Sequence, residues 1–536
     1  MSLRAPWRPM VAVAAAQMLM AFGFNALVVS IGGIVETFGT PATSVGTAIV
    51  VYSLAVAGFI MLGARLGQRV GPRRAFVLST ALFGAAMALV ALAPDVRVLI
   101  AAQGLAGLAA AVLVPSLVVL IAAHYEGRQR AQALGYLSGA QALAGVLAFL
   151  IAGSLGATVG WRYAFGLVVL LALATLALSP SLANVPARRD TAIDVPGALL
   201  VAGAVGSISV GFDKLNHWGI GLARPAAPFD VFSLSPAPFL VLIGVVLGQA
   251  FFARAARRRA AGRAPLVALE VLDPPASRVA VGAMLGIVTL ESAAAFLVPL
   301  YVQIVQGRSS LATAFAMMPF SLSMLASAVL VVRLFERHPP RRIARAAFVV
   351  MAAGLAFLAA VVRNDWSTPP VVLGLVVTGL GVGSLATLLF DVLVSGSPPE
   401  LAGDAGSLRG TANNLGAAVG TALVAALVVT VLEARIHRAL EASPTLTPAF
   451  LQQANIDEVG FVSNERLREA LASAAVPPEQ AREALAINEA ARLTALKAAF
   501  LLLAALSLLA IVPAGRLPGR FPRSPLTEPG KSSPPP

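Results

Sequence analysis

Cysteine is absent from all 536 residues, which excludes disulfides, thiol chemistry and Cys-ligated metals. Histidine is scarce. The four present, His124, His217, His338 and His437, are far apart and mostly in connecting segments, so no metal cluster and no cofactor are expected. Charge is scarce as well: 12% of residues are Asp, Glu, Lys or Arg, against about 25% in soluble domains. Too few charges remain to coat a water-soluble globule of this length, so lipid must solvate much of the surface. The chain also has no phosphate-binding Gly-Lys loop, no helical His-Glu pair and no nucleophile elbow. ATP hydrolysis and enzyme activity are therefore not expected, and the energy source would be an ion or solute gradient.

What is present is apolar surface and glycine: 58% hydrophobic residues and 47 Gly, as suits helices packed closely inside a bilayer. The net charge of +14 raises the question of a nucleic-acid partner. The basic residues lie between apolar runs rather than on a soluble domain, so they read as loop anchors, and no nucleic acid is expected. Fourteen stretches approach the ~20 apolar residues needed to cross a membrane, at about 10–34, 45–63, 75–93, 96–123, 131–156, 163–183, 195–212, 237–253, 279–305, 311–334, 346–362, 370–394, 411–433 and 495–513. The first continues too far past Ala14-Ala15-Ala16 for a cleaved leader and reads as an uncleaved span. With the N-terminus inside, 26 of the 39 Lys and Arg fall on cytoplasmic segments, Arg409 among them. Seven of the other 13 lie in one long segment, 434–497, and long segments escape the positive-inside rule. The expectation is an all-α multi-pass protein of the cell membrane with both termini cytoplasmic.

An internal repeat organises these spans. RLGQRVGPRR (Arg65–Arg74) and RLFERHPPRR (Arg333–Arg342) agree at six of ten positions with an offset of 268. Each lies between the second and third helices of its own group of six. The domains are then a six-helix bundle over 1–183, an inserted helix pair and basic linker over 184–278, and a second six-helix bundle over 279–515. Within the second bundle, 434–494 is an extracytoplasmic segment of one or two short helices. One starts after Ser463, with Leu467 and Leu471 on one face, and another at Pro477-Pro478. The tail, 516–536, is rich in Pro and Ser and reads as disordered. Duplicated halves flanking a midplane cavity suit alternating access.

RLGQRVGPRR resembles the loop between the second and third helices of the major facilitator superfamily, and the six-plus-two-plus-six plan resembles its fourteen-helix drug:proton antiporter branch. WRYAF (Trp161–Phe165), Gln103-Gly104, Val114-Pro115, Asp194 with Gly197, Pro265-Leu266, Tyr301, Gln303, Gly307, Pro319 and GDAGSLRGTANNLGAAVG (Gly403–Gly420) follow the family's order along nearly the whole chain. The resemblance implies a monomeric secondary transporter that exports small molecules in exchange for protons. The chain departs from the family where coupling residues are concerned. Gln68 replaces the loop Asp and Ala64 its first Gly. Ile100 replaces the fourth-helix Arg, Ala148-Phe149 the fifth-helix Gly-Pro, and about Gly23 an acid of the first helix.

Candidate site residues follow from cost. Glu291, near the middle of the ninth span, is the one acid read well inside the core, with no Lys or Arg placed mid-span beside it. Such a group is functional by default: it could take and release a proton as access alternates. The plainer alternative is a neutral Glu bonded to a neighbouring helix. Gln17, Asn25, Gln103 and Gln141 are the candidates to line the cavity, with Gln303, Asn413 and Asn414 also in or near spans. Leu, Val, Phe and Met would form its other walls and suit apolar or amphipathic substrates. Arg65, Gln68, Arg69, Arg73 and Arg74, with Arg337, Arg341 and Arg342 in the repeat, are candidates for a cytoplasmic gate. Their alternative is plain topogenic charge. Glu126 is the expected partner of the first set, with Asp391 and Glu336 nearby. Gly135 and Gly139, and Gly416 and Gly420, are small-residue pairs for close helix packing; Pro115 and Pro319 are candidate kinks. The functional readings are a proton-driven exporter of small apolar or cationic compounds, or an exporter of a lipid or metabolite, or a facilitator, with different coupling. A membrane enzyme or sensor is the third, disfavoured by the missing catalytic constellations.

Overall fold

The computed structural model describes residues 6–519 except 40–41, 189–191, 220, 226, 231, 300, 303–309, 364–368, 443–463 and 474–475. Gln303, Gly307, Ser463 and nearly all of the tail thus lie outside the described residues. Among those described, the regular secondary structure is helical apart from a single bridge between Leu222 and Leu234, and fourteen helices are long and apolar enough to cross a bilayer. They are α1 (Arg8–Val29), α2 (Ala42–Val70), α3 (Pro72–Ala91), α4 (Val96–His124), α5 (Gly127–Leu147), α6 (Trp161–Leu178), α7 (Val195–Trp218), α8 (Pro236–Ala260), α9 (Pro275–Pro299), α10 (Ser310–Leu330), α11 (Pro340–Val361), α12 (Pro369–Ser395), α13 (Ala402–Ala442) and α14 (Pro478–Leu509).

Local chemistry sets many starts. Pro72, Pro236 and Pro340 open their helices, where a missing N–H costs nothing. The Asp95 carboxylate accepts the Arg97 and Val98 amides at 2.8 and 2.9 Å to cap α4. Gly71 turns α2 into α3 at φ 100°, a left-handed conformation that a side chain would strain. Past Leu147, α5 widens into a π turn at Ala148–Ala152 before a last helical turn to Thr158. That turn falls at Ala148-Phe149, where the resembling family carries Gly-Pro.

Two boundaries correct the sequence reading. α13 begins at Ala402 rather than near 411, because GDAGSLRG, read as a loop, is helical. The stretch from Pro478, read as a separate surface helix, runs without a break into the last span. The helix Asn464–Ser473 is separate.

The duplication is visible in the packing. Within the first six helices the neighbours are α1 with α5 and α6, α2 with α4, and α3 with α4 and α6. The same five pairings recur in the last six, each label raised by eight. The halves meet through α2 against α13 and α5 against α10, which are counterparts under this operation, as are α4 against α13 and α5 against α12. The inserted pair α7 and α8 packs on itself: Gly211 faces the Ala237 carbonyl and Gly244 the Ala204 carbonyl, leaving no room for a Cβ. α7 also lies along α2 and α13, whereas α8 leaves Leu242, Ile243, Val245, Val246 and Phe252 exposed, as a lipid-facing helix does.

Candidate functional site

A cavity of about 660 Å³ lies between the halves. α1 contributes Gln17, Phe24 and Asn25, α2 Tyr52 and Ser53, α5 Gln141, α9 Glu291 and Phe296, and α13 Arg409, Asn413 and Asn414; Ser209 of the inserted α7 also reaches it. The Gln17 amide nitrogen donates to the Gln141 side-chain oxygen at 3.3 Å, joining α1 to α5. Asn25 bonds its own helix, to the Ala21 carbonyl at 2.7 Å. Among the described residues, the titratable groups of the lining are Tyr52, Glu291 and Arg409.

Arg409 overturns the expectation that no basic residue lies mid-span beside Glu291. The Gly- and Ser-rich run that holds it has the composition of a loop but forms the first turns of α13. In the structure Arg409 is 9% exposed, and its guanidinium carbon sits 4.3 Å from the centre of the Phe390 ring, a cation–π stack. Neither Glu291 nor Arg409 makes a hydrogen bond among the described residues, and the two do not close into a direct ion pair. Gln103 does not line the cavity. It stands two turns of α4 from Ala110, which does, and is 1% exposed, packed inside the first half with its amide nitrogen unpaired. Sequence spacing puts both residues on one face of α4, but it does not show how deep the cavity reaches.

At one end of the molecule, where the basic loops cluster, a buried ion pair joins the two halves. Arg65, at the end of α2, pairs with Asp404 in the first turn of α13 at 3.0 Å, and both side chains are buried. Arg65 Nε also donates to the Leu266 carbonyl at 2.7 Å. Asp404 accepts from the Ala268 amide at 2.9 Å and from the Gln68 amide at 3.3 Å. The partner of the first basic set is therefore Asp404 and not Glu126, which is exposed and makes no ion pair among the described residues. Asp404 lies in the same loop-like run, so nothing in its sequence neighbourhood marks it as the partner. The counterpart contact joins α5 to the second half: Arg128 pairs with Glu336 at 2.7 Å on the surface, and Arg130 donates to Ser395, which donates to Asp391. Arg69, Arg74, Arg337, Arg341 and Arg342 are exposed and Arg73 is half-buried; none forms an ion pair among the described residues.

Glycines bring the helices into contact. Gly135 of α5 faces the Ala328 carbonyl of α10, where a Cβ would stand 2.8 Å from the oxygen, and Gly139 faces the Leu325 side chain. Gly416 and Gly420 of α13 press on the Leu285 and Thr289 carbonyls of α9. Pro115 and Pro319 lie within α4 and α10. At the basic end of the inserted pair, Asp194 caps α7 and accepts from Arg254 at 2.9 Å. Burial raises the Asp194 pKa, but the Arg254 hydrogen bond, the Gly197 amide and the charges of Arg258 and Arg254 outweigh it, so the net shift is downward.

Comparison with known proteins agrees with this architecture. The sequence pattern of the Major Facilitator Superfamily matches residues 13–421. The chain belongs to that superfamily. Its relatives include the puromycin resistance protein pur8 of Streptomyces alboniger, 29% identical over 78% of this chain and 81% of that one. They also include the multidrug efflux pump LfrA of Mycolicibacterium smegmatis, 27% identical over 78% and 79%. Among solved structures, the human organic anion transporter MFSD10 aligns over 95% of this chain and 99% of its own, with a TM-score of 0.56 at 13% identity, a likeness of fold. The superfamily member described here is thus a multi-pass membrane protein and a transporter of small molecules.

Proposed function

We propose that the protein exports small apolar or amphipathic compounds by alternating access, in exchange for protons, as a monomer in the cell membrane with the basic end and both termini in the cytoplasm. The observation that carries this reading is Glu291: one carboxylate, on a wall of the cavity between the two halves, without a hydrogen-bond partner among the described residues. A group so placed can bind a proton from one side and release it to the other. The efflux and resistance proteins among the relatives support export. The latch of Arg65, Gln68 and Asp404 supports a state closed to the cytoplasm, since it ties α2 to α13 at that end. Arg69, Arg73, Arg74, Arg337, Arg341 and Arg342 then orient the chain and border the gate.

The test is transport of an amphipathic amine in proteoliposomes with an imposed pH gradient. Glu291→Gln is expected to abolish gradient-driven accumulation while leaving downhill flux measurable. Unchanged pH-driven accumulation by this variant would refute the role of Glu291. A second reading is favoured by Gln68, Ile100 and Ala148-Phe149 standing where the family has its coupling residues. In it the protein exports a lipid or metabolite, or acts as a facilitator, without proton coupling. Wild-type transport indifferent to the gradient would select that reading.

A further inference from the structure

Two opposite charges line the cavity and feel each other across it, and neither has a hydrogen-bond or ion-pair partner among the described residues. The Arg409 guanidinium lies over the Phe390 ring. It lines the cavity and makes no hydrogen bond or ion pair among the described residues. Its N–H edges are therefore open to a ligand. Glu291 is half-buried in the same cavity and equally without a hydrogen bond. Around them stand the side-chain amides of Gln17, Asn25, Asn413 and Asn414 and the rings of Phe24 and Phe296.

We propose that this cavity selects ampholytes: amphipathic compounds carrying an anionic group for Arg409 and a cationic group for Glu291, with an apolar body among the rings. The inference rests on the reading of the cavity as the transport site. It follows from what each other class of solute leaves undone. A plain cation meets Glu291 but brings its charge toward Arg409 in a low-dielectric space. A plain anion has the mirrored defect, and a neutral solute displaces water from both charges and replaces none of its bonds. An unpaired charge is the costly element in a desolvated site, and leaving it unpaired is how a site rejects a wrong ligand. An ampholyte pairs both. It also fits the exchange: the substrate's cationic group and the proton compete for one carboxylate, while the anionic group stays with a side chain that does not titrate at physiological pH.

Three probes with one apolar body separate the possibilities: 3-(9-anthryl)alanine, 2-(9-anthryl)ethylamine and 3-(9-anthryl)propionate. Binding to the full chain in detergent is read by anthracene fluorescence, with no gradient present. The wild type is expected to bind the amino acid at least about tenfold more tightly than either single-charge probe. Arg409→Gln should bring the amino acid down to the amine's affinity, Arg409→Lys should keep part of the preference, and Glu291→Gln should bring it down to that of the propionate. Equal wild-type binding of all three probes would overturn the proposal, and that comparison needs no variant to fold. So would a preference that survives Arg409→Gln intact. If the preference is absent while pH-driven amine transport still depends on Glu291, the ampholyte assignment falls and proton-coupled export stands. If the preference is present and transport of the amino acid itself is indifferent to the pH gradient, the assignment is supported and the coupling falls.

Discussion

Replacing Asp404 by asparagine keeps the shape of the side chain but removes its charge, leaving Arg65 buried beside a neutral amide. Both partners are buried, at 8% and 1% side-chain exposure, and breaking such a pair from one side costs about 3–5 kcal/mol. The cost falls on the state in which the halves are closed at the basic end, because Arg65 belongs to the first half and Asp404 to the second. At about 1.4 kcal/mol per tenfold, the ratio of closed to open conformers should drop by about two to three and a half orders of magnitude. A minor state of about 1% would then dominate. The chain contains no cysteine, so introduced thiols are unique labelling sites. Spin labels at R74C and R342C, both exposed positions near that end on opposite halves, report the opening by pulsed electron resonance. The wild type should give one short-distance population, and Asp404→Asn a longer one that grows at its expense. A distance distribution unchanged by Asp404→Asn would refute the claim that this pair holds the gate shut.

Four further outcomes are expected. Gly135→Ala should lower the thermal midpoint, at a cost of about 1–3 kcal/mol, because its Cβ would meet a carbonyl; Gly139→Ala should be milder, since the Leu325 side chain can turn away. Thermal unfolding of both in detergent distinguishes them, and equal losses would contradict the geometry. The Asp194 pKa is lowered from its ordinary 3.8, so its contribution to stability is complete above that value and is lost as pH falls through the folded pKa. The stability gap between wild type and Asp194→Asn should accordingly be constant near neutrality and close only below about pH 4; a gap that closes at higher pH would contradict this. Gln103→Leu should leave substrate binding unchanged and stability equal or higher, because it removes a buried amide whose nitrogen is unpaired. Gln17→Leu should weaken substrate binding, and the same binding assay reads both.

The number of spans was legible because lipid demands long apolar runs, and the duplication because six residues of the Arg65–Arg74 segment recur at Arg333–Arg342. The site was legible only in part. Glu291 stands out in an apolar run as any intramembrane acid does. Arg409 and Asp404 lie in a Gly- and Ser-rich stretch whose composition is that of a loop. Their helix is secured by α9, by α4 and by the pair with Arg65, contacts no local pattern carries. Gln17 and Gln103 look alike in sequence, and only packing decides that one meets the cavity and the other does not.

The latch also changes what the inserted pair is. Two of its bonds go to main-chain atoms of the connector that follows α8, the Leu266 carbonyl and the Ala268 amide. A shortened chain lacking 184–278 would lose more than two lipid-facing helices, because part of the bolt between its halves would go with them. The side chains at 266 and 268 can vary without touching these bonds, so what this connector must preserve is its course and its length.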